Sequence, residues 1–488
     1  MKRITRRSFM KNSLAAGGSL AFYSRTMHAA RNLRVRGANN DIRVGVVGVG
    51  GQGSNHVKYF HNLPGVRVVA ICDADKEHVA RQVGSFRKKN ERIVGYTDVR
   101  RLLDDKNIDA VTTATPNHWH ALVTVWACQA GKDVYVEKPV SHEVWEGRKM
   151  VEAARKYDRI VQTGTQKRSD PGLMQAFEFI QKGNLGKILW SRGFCYKRRK
   201  SIGKVDGPQP IPSSVNYDLW CGPAPMEPLM RKNLHYDWHW VWPTGNGDLG
   251  NQGIHEMDLA RWALGEEGLA PRVMSIGGRF GYEDDGTVAN TQIVMLDYEK
   301  APLIFEVRGL PNASGSSAMD NYRGTRIGVV VQCEGGYFVG GGGGGWTYDK
   351  NGKRMKQFRG TGGGGHHANF IKAVRSRNVS DLNADIEKGH ISSALCHMGN
   401  ISYRIGKKTQ PGQILEAVKS DRDLADSYER FLEHLAANGV NLKTTPAVLG
   451  PWLKMDTRKE QFVGEFADPA NQLIKREYRK PFVVPQNV

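Results

Sequence analysis

Residues 48–53 read Gly-Val-Gly-Gly-Gln-Gly, a G-x-G-x-x-G pattern between an apolar run, residues 42–49, and a helical stretch from about Ser54. An acid, Asp73, stands 20 residues after Gly53, at the end of a second apolar run, residues 66–72. Alone the glycine pattern is weak. A strand before it, a helix after it and an acid at this distance make the dinucleotide fingerprint. Gly48 permits the tight turn, Gly50 lets backbone approach a pyrophosphate, and Gly53 lets the helix pack closely. Gly51 and Gln52 complete the loop. The helix N-terminus offers free N–H groups to the phosphates. A carboxylate at Asp73 bonds ribose hydroxyls and repels a 2′-phosphate, so the cofactor expected is NAD rather than NADP.

Two further clusters fall where later strands end: Thr115-Pro116-Asn117-His118-Trp119-His120 and Glu137-Lys138-Pro139. Ligands of open parallel sheets bind beyond the carboxyl ends of the strands. Thr115, Asn117, His120, Glu137 and Lys138 are therefore read as cofactor contacts. Gln166 and Arg168 follow the last strand of this region; Gln166 is assigned to cofactor and Arg168 to substrate. His235 and His239 have an H-x₃-H spacing that suits zinc on a helix. They lie in a tryptophan-rich loop without a third ligand nearby, so structure or sugar stacking is the favoured reading and no metal is expected. His366 and His367, after a glycine run, either reach the site or lie on the surface.

The elements that must position these residues alternate. Strand signals at 42–49, 66–72, 110–114, 134–136 and 160–163 are separated by helical stretches, as in a doubly wound parallel sheet. After about residue 165 strands follow one another, at 188–195, 272–280, 291–297 and 303–308, which predicts an α+β domain with a mostly antiparallel sheet. The organisation expected is a signal segment (1–30), an NAD-binding Rossmann domain (41–163), a substrate domain (164–410) and a C-terminal extension (411–488) with one helix, 420–437. Within and beside a long Pro-, Gly- and aromatic-rich segment, 203–247, lie six of the eleven tryptophans. So much aromatic surface argues for an ordered, functional loop. Trp240 is assigned to it as a stacking face for a pyranose. The glycine runs 340–345 and 362–365 are read as flexible loops.

The chain has 488 residues, 40% hydrophobic and 24% charged, which suits two globular domains plus extensions. No run of about 18 apolar residues is present, so no conventional membrane span is expected. The net charge of +21 raises nucleic acid as a partner. The first 30 residues hold six Lys or Arg and no acid, and the rest of the charge is scattered, so a nucleic-acid partner is not expected. Six cysteines lie apart, several in apolar runs, and do not form a disulfide framework. Residues 5–11, Thr-Arg-Arg-Ser-Phe-Met-Lys, match the twin-arginine export consensus and precede a weakly apolar Ala- and Gly-rich stretch. Export of the folded protein to the periplasm is expected. A homo-oligomer is compatible with these features.

Glu137-Lys138-Pro139, with Asn251-Gln252-Gly253-Ile254-His255 running into Asp258 and Arg261-Trp262, resembles the two signatures of the Gfo/Idh/MocA oxidoreductases, E-K-P and D-x-G-x-H before a helix. The resemblance spans about residues 41–410. It implies a Rossmann domain, a second antiparallel domain, a sugar or polyol bound between them, and Lys138 and His255 as the catalytic pair. Asn251, set with His255 at the substrate, replaces the usual Asp and cannot serve as a base; Asp248 lies three residues earlier. Oxidising a sugar hydroxyl moves a hydride to nicotinamide and a proton to a base, for which His255 is suited. Outside the cytoplasm NAD is scarce, so the expected reaction is redox-neutral: transient ring oxidation as in the family's NAD-dependent glycosidases and epimerases, or a two-substrate exchange. A simple sugar dehydrogenase and a non-catalytic NAD-bound sugar-binding protein are the alternatives.

Overall fold

The structure is a computed structural model that describes residues 41–488. The expected export signal lies outside the described residues. The first apolar runs become strands because the central ones are shielded on both faces, as a parallel sheet requires, while the exposed β3 closes one edge. They are β1 (Ile42–Val47), β2 (Val66–Cys72), β3 (Val94–Tyr96), β4 (Ala110–Thr113), β5 (Asp133–Val136) and β6 (Val161–Thr163). The connecting helices are α1 (Gly51–His61), α2 (Lys76–Arg87), α3 (Val99–Asp104), α4 (Asn117–Gln129) and α5 (Val144–Lys156). Their starts are set by capping: Asp75 and Asp98 accept from backbone N–H groups two residues on, and Glu143 with Glu146 forms a capping box. The six strands lie in the order β3-β2-β1-β4-β5-β6 and pair in parallel. The order reverses between β1 and β4, which opens a crevice at their carboxyl ends.

The second region begins with α6 (Pro171–Gln181), capped by Asp170, and β7 (Ile188–Tyr196). After the long segment come α7 (Gly253–Leu264), β8 (Arg272–Gly278), β9 (Thr291–Asp297), β10 (Leu303–Arg308), β11 (Ile327–Cys333), β12 (Gly336–Gly341), β13 (Gly344–Asp349) and β14 (Arg354–Arg359). Two helices follow, α8 (His366–Ser376) and α9 (Ile386–Ile405). The sheet is mostly antiparallel, with β7 and β10 parallel. Helices α7 and α9 cover one face through Ile254, Met257, Leu395 and Met398, among other buried apolar side chains. This fold is the one expected.

Two expectations are corrected. The 340–345 glycine run is the tip of the β12–β13 hairpin rather than a flexible loop. A Cβ on Gly345 would fall 2.4 Å from the Val339 carbonyl, so only glycine lets these strands close. The last 78 residues are also more than an extension with one helix. Just after β15 (Lys407–Thr409), they add α10 (Pro411–Val418), α11 (Arg422–Ala437), β16 (Ala447–Leu449), β17 (Leu453–Asp456) and β18 (Gln461–Val463). Strands β16 and β17 pair with β8. Ile414, Leu424, Tyr428 and Phe431 bury the sheet face opposite α7. Phe482, Val484 and Val488 pack into the core of the first domain, and Phe370 and Val374 of α8 join its other core. The chain thus crosses back to the first domain twice after residue 164, so the expected linear boundaries describe sequence order but not packing. No helix among the described residues is long and apolar enough to cross a membrane.

Candidate active site

A cleft of about 820 Å³ opens at the carboxyl ends of β1 and β4 and runs to the start of α7. At one end is the glycine turn. Gly48 has φ +75°, and a Cβ there would lie 2.8 Å from the Thr115 amide, so the turn accepts only glycine. A Cβ on Gly53 would fall 1.6 Å from the Gly48 carbonyl, which seats α1 directly on the turn. Gly50 and Gly51 line the cleft with no backbone near their missing Cβ atoms. The first turn of α1 has no side-chain cap and no acid. Free N–H groups and a positive dipole end therefore face the cleft, which fits the diphosphate of a dinucleotide.

Asp73 lines the same end. Its Oδ2 accepts from the Val49 N–H (2.8 Å) and lies 3.2 Å from His78 Nδ1, while Oδ1 accepts from the Asp75 N–H (3.0 Å). The carboxylate is thus locked to the turn it serves. Asp73→Ser is expected to weaken NAD binding and narrow the preference for NAD over NADP, read from dissociation constants for both; an unchanged ratio removes Asp73 from that role.

Lys138 and His255 line the other end. Glu137, beneath Lys138, accepts from Gln52 Nε2 (3.3 Å), pairs with His56 Nε2 (2.9 Å) and accepts from the Lys138 N–H (3.2 Å). Burial raises its carboxyl, but the His56 hydrogen bond and the charges of His56 and Lys138 outweigh this and hold it well below the usual carboxylate range. Glu137 and Gln52 therefore brace the site. The Lys138 Nζ donates to the Asn251 carbonyl (3.1 Å) and to Asn251 Oδ1 (3.4 Å). Burial pushes its pKa down, against the charges of Glu137 and Asp248 and with those of Lys197 and Arg199. Asp248 does not replace the missing carboxylate: both its oxygens are forked by Arg199 at 2.6 and 2.7 Å. Lys138 therefore meets only neutral oxygens.

His255 sits in the first turn of α7. Its Nδ1 is buried without a protein partner. Burial, and then the positive charges of Lys138, Lys167 and Lys197, drive its pKa well below the ordinary histidine value. The imidazole is neutral and ready to accept a proton.

Other expected contacts divide. Thr115 and Gln166 line the cleft. Asn117 and His120 reach its wall but are engaged within the protein: Asn117 Nδ2 donates to Asn246 Oδ1 (2.9 Å), and His120 places its ring nitrogens 2.6 Å from the Pro139 carbonyl and 2.9 Å from that of Thr115. His120 thus holds the two sequence clusters together, and Asn117 ties the first of them to Asn246. Arg168 and Trp240 are not brought to the cleft. The Arg168 guanidinium forks Asp258 at 2.8–2.9 Å and lies over Trp262, buried between a turn and α7. Trp240 is buried with Ile202 and Val288 under Arg199. His366 is buried on Ser169 and the Thr163 carbonyl, and His367 stacks on Tyr135, so neither is a surface residue.

The aromatic segment does wall the cleft, but through Trp220, Tyr236, Trp238 and His239 rather than Trp240; of these, sequence reasoning had singled out His239 alone, for structure or sugar stacking. Trp238 and His239 stack at 3.6 Å. His239 Nδ1 lies 2.6 Å from the Tyr236 carbonyl, which only accepts, so Nδ1 carries the proton and Nε2 keeps a free lone pair. Burial lowers its pKa to about 3. The tryptophan-rich composition was the available signal; which rings turn inward depends on how the segment docks.

A family profile described as an oxidoreductase family's NAD-binding Rossmann fold matches residues 42–165, and one described as the same oxidoreductase family's C-terminal alpha/beta domain matches 183–307. Among curated relatives, an inositol 2-dehydrogenase of Salmonella typhimurium is 31% identical over 182 residues, 36% of this chain and 52% of the relative. A levoglucosan dehydrogenase of Pseudarthrobacter phenanthrenivorans is 28% identical over 244 residues, 48% of this chain and 54% of the relative. The chain spans about half the length of the curated relatives it matches. Among solved structures, the WlbA dehydrogenase of Bordetella pertussis in complex with NADH and UDP-GlcNAcA superposes with a TM-score of 0.54 at 20% identity, covering 73% of this chain and 94% of that one. At that identity the likeness shows the fold.

Proposed function

From the membership of this chain in the Gfo/Idh/MocA oxidoreductase family, with its NAD-binding Rossmann domain, we propose that it is an NAD-dependent oxidoreductase of a sugar, polyol or glycoside whose turnover leaves the cofactor unchanged. The observation that carries the reading is the convergence of the glycine cradle, Lys138 and neutral His255 in one cleft walled by aromatic rings. Bound NAD supplies the hydride acceptor there. Lys138 donates a hydrogen bond to the oxygen of the reacting alcohol and stabilises negative charge on it. The His255 imidazole takes the hydroxyl proton. Stacked Trp238 and His239 present a flat face to a pyranose, and His239 Nε2 accepts from one of its hydroxyls. The low proton affinity of buried His255 favours return of the proton it has taken, which suits a cycle in which the alcohol is oxidised and then restored.

The test is incubation of the purified protein with a panel of sugars, polyols and glycosides, following reduced cofactor by absorbance and product by chromatography. Product with only catalytic NAD and no net reduced cofactor supports the reading. Stoichiometric reduction sustained only by added NAD supports the second reading, a simple dehydrogenase, which the names of the inositol and levoglucosan dehydrogenase relatives favour.

The redox-neutral reading draws on the twin-arginine motif at residues 5–11, through which we propose export to the periplasm. Arg6→Lys with Arg7→Lys is expected to hold full-length precursor in the cytoplasm, measured by fractionation and immunoblot. Normal periplasmic amounts of the doubly changed protein would reject the export reading.

A further inference from the structure

The long segment after β7 docks back onto the start of α2. Lys76 N–H donates to the Ser214 carbonyl (2.9 Å), Asn216 N–H donates to that of Ala74 (2.9 Å), and Asp75 bridges Val215. This docking carries His235 to Asp75 and His78. His235 Nε2 is 3.0 Å from Asp75 Oδ2, and His78 Nε2 is 3.8 Å from the same oxygen. The two imidazole rings lie 4.6 Å apart, tilted by 39°. One ligand atom from each of the three residues falls within 4.8 Å of the others.

A second observation points the same way. His78 Nδ1 is 3.2 Å from Asp73 Oδ2, and that carboxylate is anchored by the Val49 and Asp75 amides. A carboxylate on one ring nitrogen fixes the proton there and aims the lone pair of the other, which is how proteins orient metal-ligating histidines. Here the aimed atom is His78 Nε2, facing Asp75 and His235. Two imidazoles and one carboxylate suit zinc or a similar borderline divalent cation. Donor atoms about 2.0–2.1 Å from a tetrahedral ion stand roughly 3.3 Å apart. The observed 3.0 and 3.8 Å separations meet that with small side-chain shifts.

We propose that Asp75, His78 and His235 form a zinc-class cation site on the rim of the cleft. His78 and His235 both line the cleft, so the remaining coordination position opens toward it or toward water. The ion staples the aromatic segment to α2 beside Asp73, and so ties closure of that segment to the ribose end of the cofactor site. The inference rests on this geometry and is independent of the sugar reading.

The test uses the full purified chain, stripped with a chelator and titrated with zinc against a chromophoric competitor, then loaded with cobalt for its visible spectrum. One equivalent at micromolar affinity or tighter is expected, with cobalt absorption typical of low coordination. His235→Ala, at a half-exposed position that leaves the Asp75 cap on α2 intact, is expected to weaken that equivalent at least tenfold while the far-ultraviolet circular dichroism stays unchanged. Asp73→Asn is expected to weaken it about 10- to 100-fold through His78. His239→Ala is expected to retain it, which separates this site from the H-x₃-H alternative. Absence of a tight equivalent in the unaltered chain, or its full retention in both His235→Ala and His78→Ala, overturns the proposal.

Discussion

Lys138→Met and His255→Ala are each expected to lower turnover by on the order of a hundredfold or more, the scale of a lost acid–base group. The two side chains share a cleft but stand apart from the glycine turn and Asp73, so bound NAD is expected to persist in both variants. Cofactor content after denaturation checks this, and loss of NAD would mean that the substitution collapsed the cleft. The His255 shift adds a pH signature. Its pKa is depressed by burial and by Lys138, Lys167 and Lys197. An unshifted histidine near 6.5 would be about nine-tenths protonated at pH 5.5 and cost roughly tenfold in activity. A depressed one stays neutral there, so kcat/KM is expected to hold nearly flat from pH 7 to 5.5. A tenfold fall over that range would remove His255 as the neutral proton acceptor.

Arg168→Ala is expected to destabilise the protein by about 3 kcal/mol, because it strips the main partner from a buried carboxylate. Asp258 keeps a 2.7 Å hydrogen bond from Ser392 and a more distant Arg261 at 3.7 Å, which places the cost toward the low end for a broken buried pair. Chemical denaturation measures it. KM at a temperature where the variant is folded is expected to stay within a few-fold of the unaltered protein. A large rise in KM with unchanged stability would restore Arg168 to the substrate, where sequence order alone had placed it.

The difference between Arg168 and Lys138 shows what kind of information each level carried. Glu137, Lys138 and His255 were legible because they sit in contiguous motifs at strand and helix ends, where chain direction already dictates that they face the cleft. The glycine turn was legible for the same reason: steric exclusion at Gly48 and Gly53 is local and leaves a pattern in the string. Arg168 and Trp240 carried the right chemistry but no direction. Arg168 is consumed by Asp258, 90 residues away, and Trp240 turns into a small apolar cluster while Trp238 and His239 turn outward to the cleft.

The role of Asn251 also waited on the fold. Sequence exposed the missing carboxylate. The structure shows that Lys138 bonds both oxygens of Asn251 and that Arg199 holds the nearest candidate replacement, Asp248. The histidines of the aromatic segment follow the same logic. Spacing paired His235 with His239, yet His235 joins Asp75 and His78, 160 and 157 positions earlier in the chain. Short-range steric and hydrogen-bonding demands thus wrote the Rossmann fold and the cofactor into the sequence, and the signature motifs marked the proposed catalytic pair. The aromatic wall, the neutral acceptors of Lys138, the Asp75–His78–His235 cluster and the return of the C-terminal residues to the first domain were decided only by tertiary structure. They depend on which distant side chains compete for the same partner, and linear spacing does not record that competition.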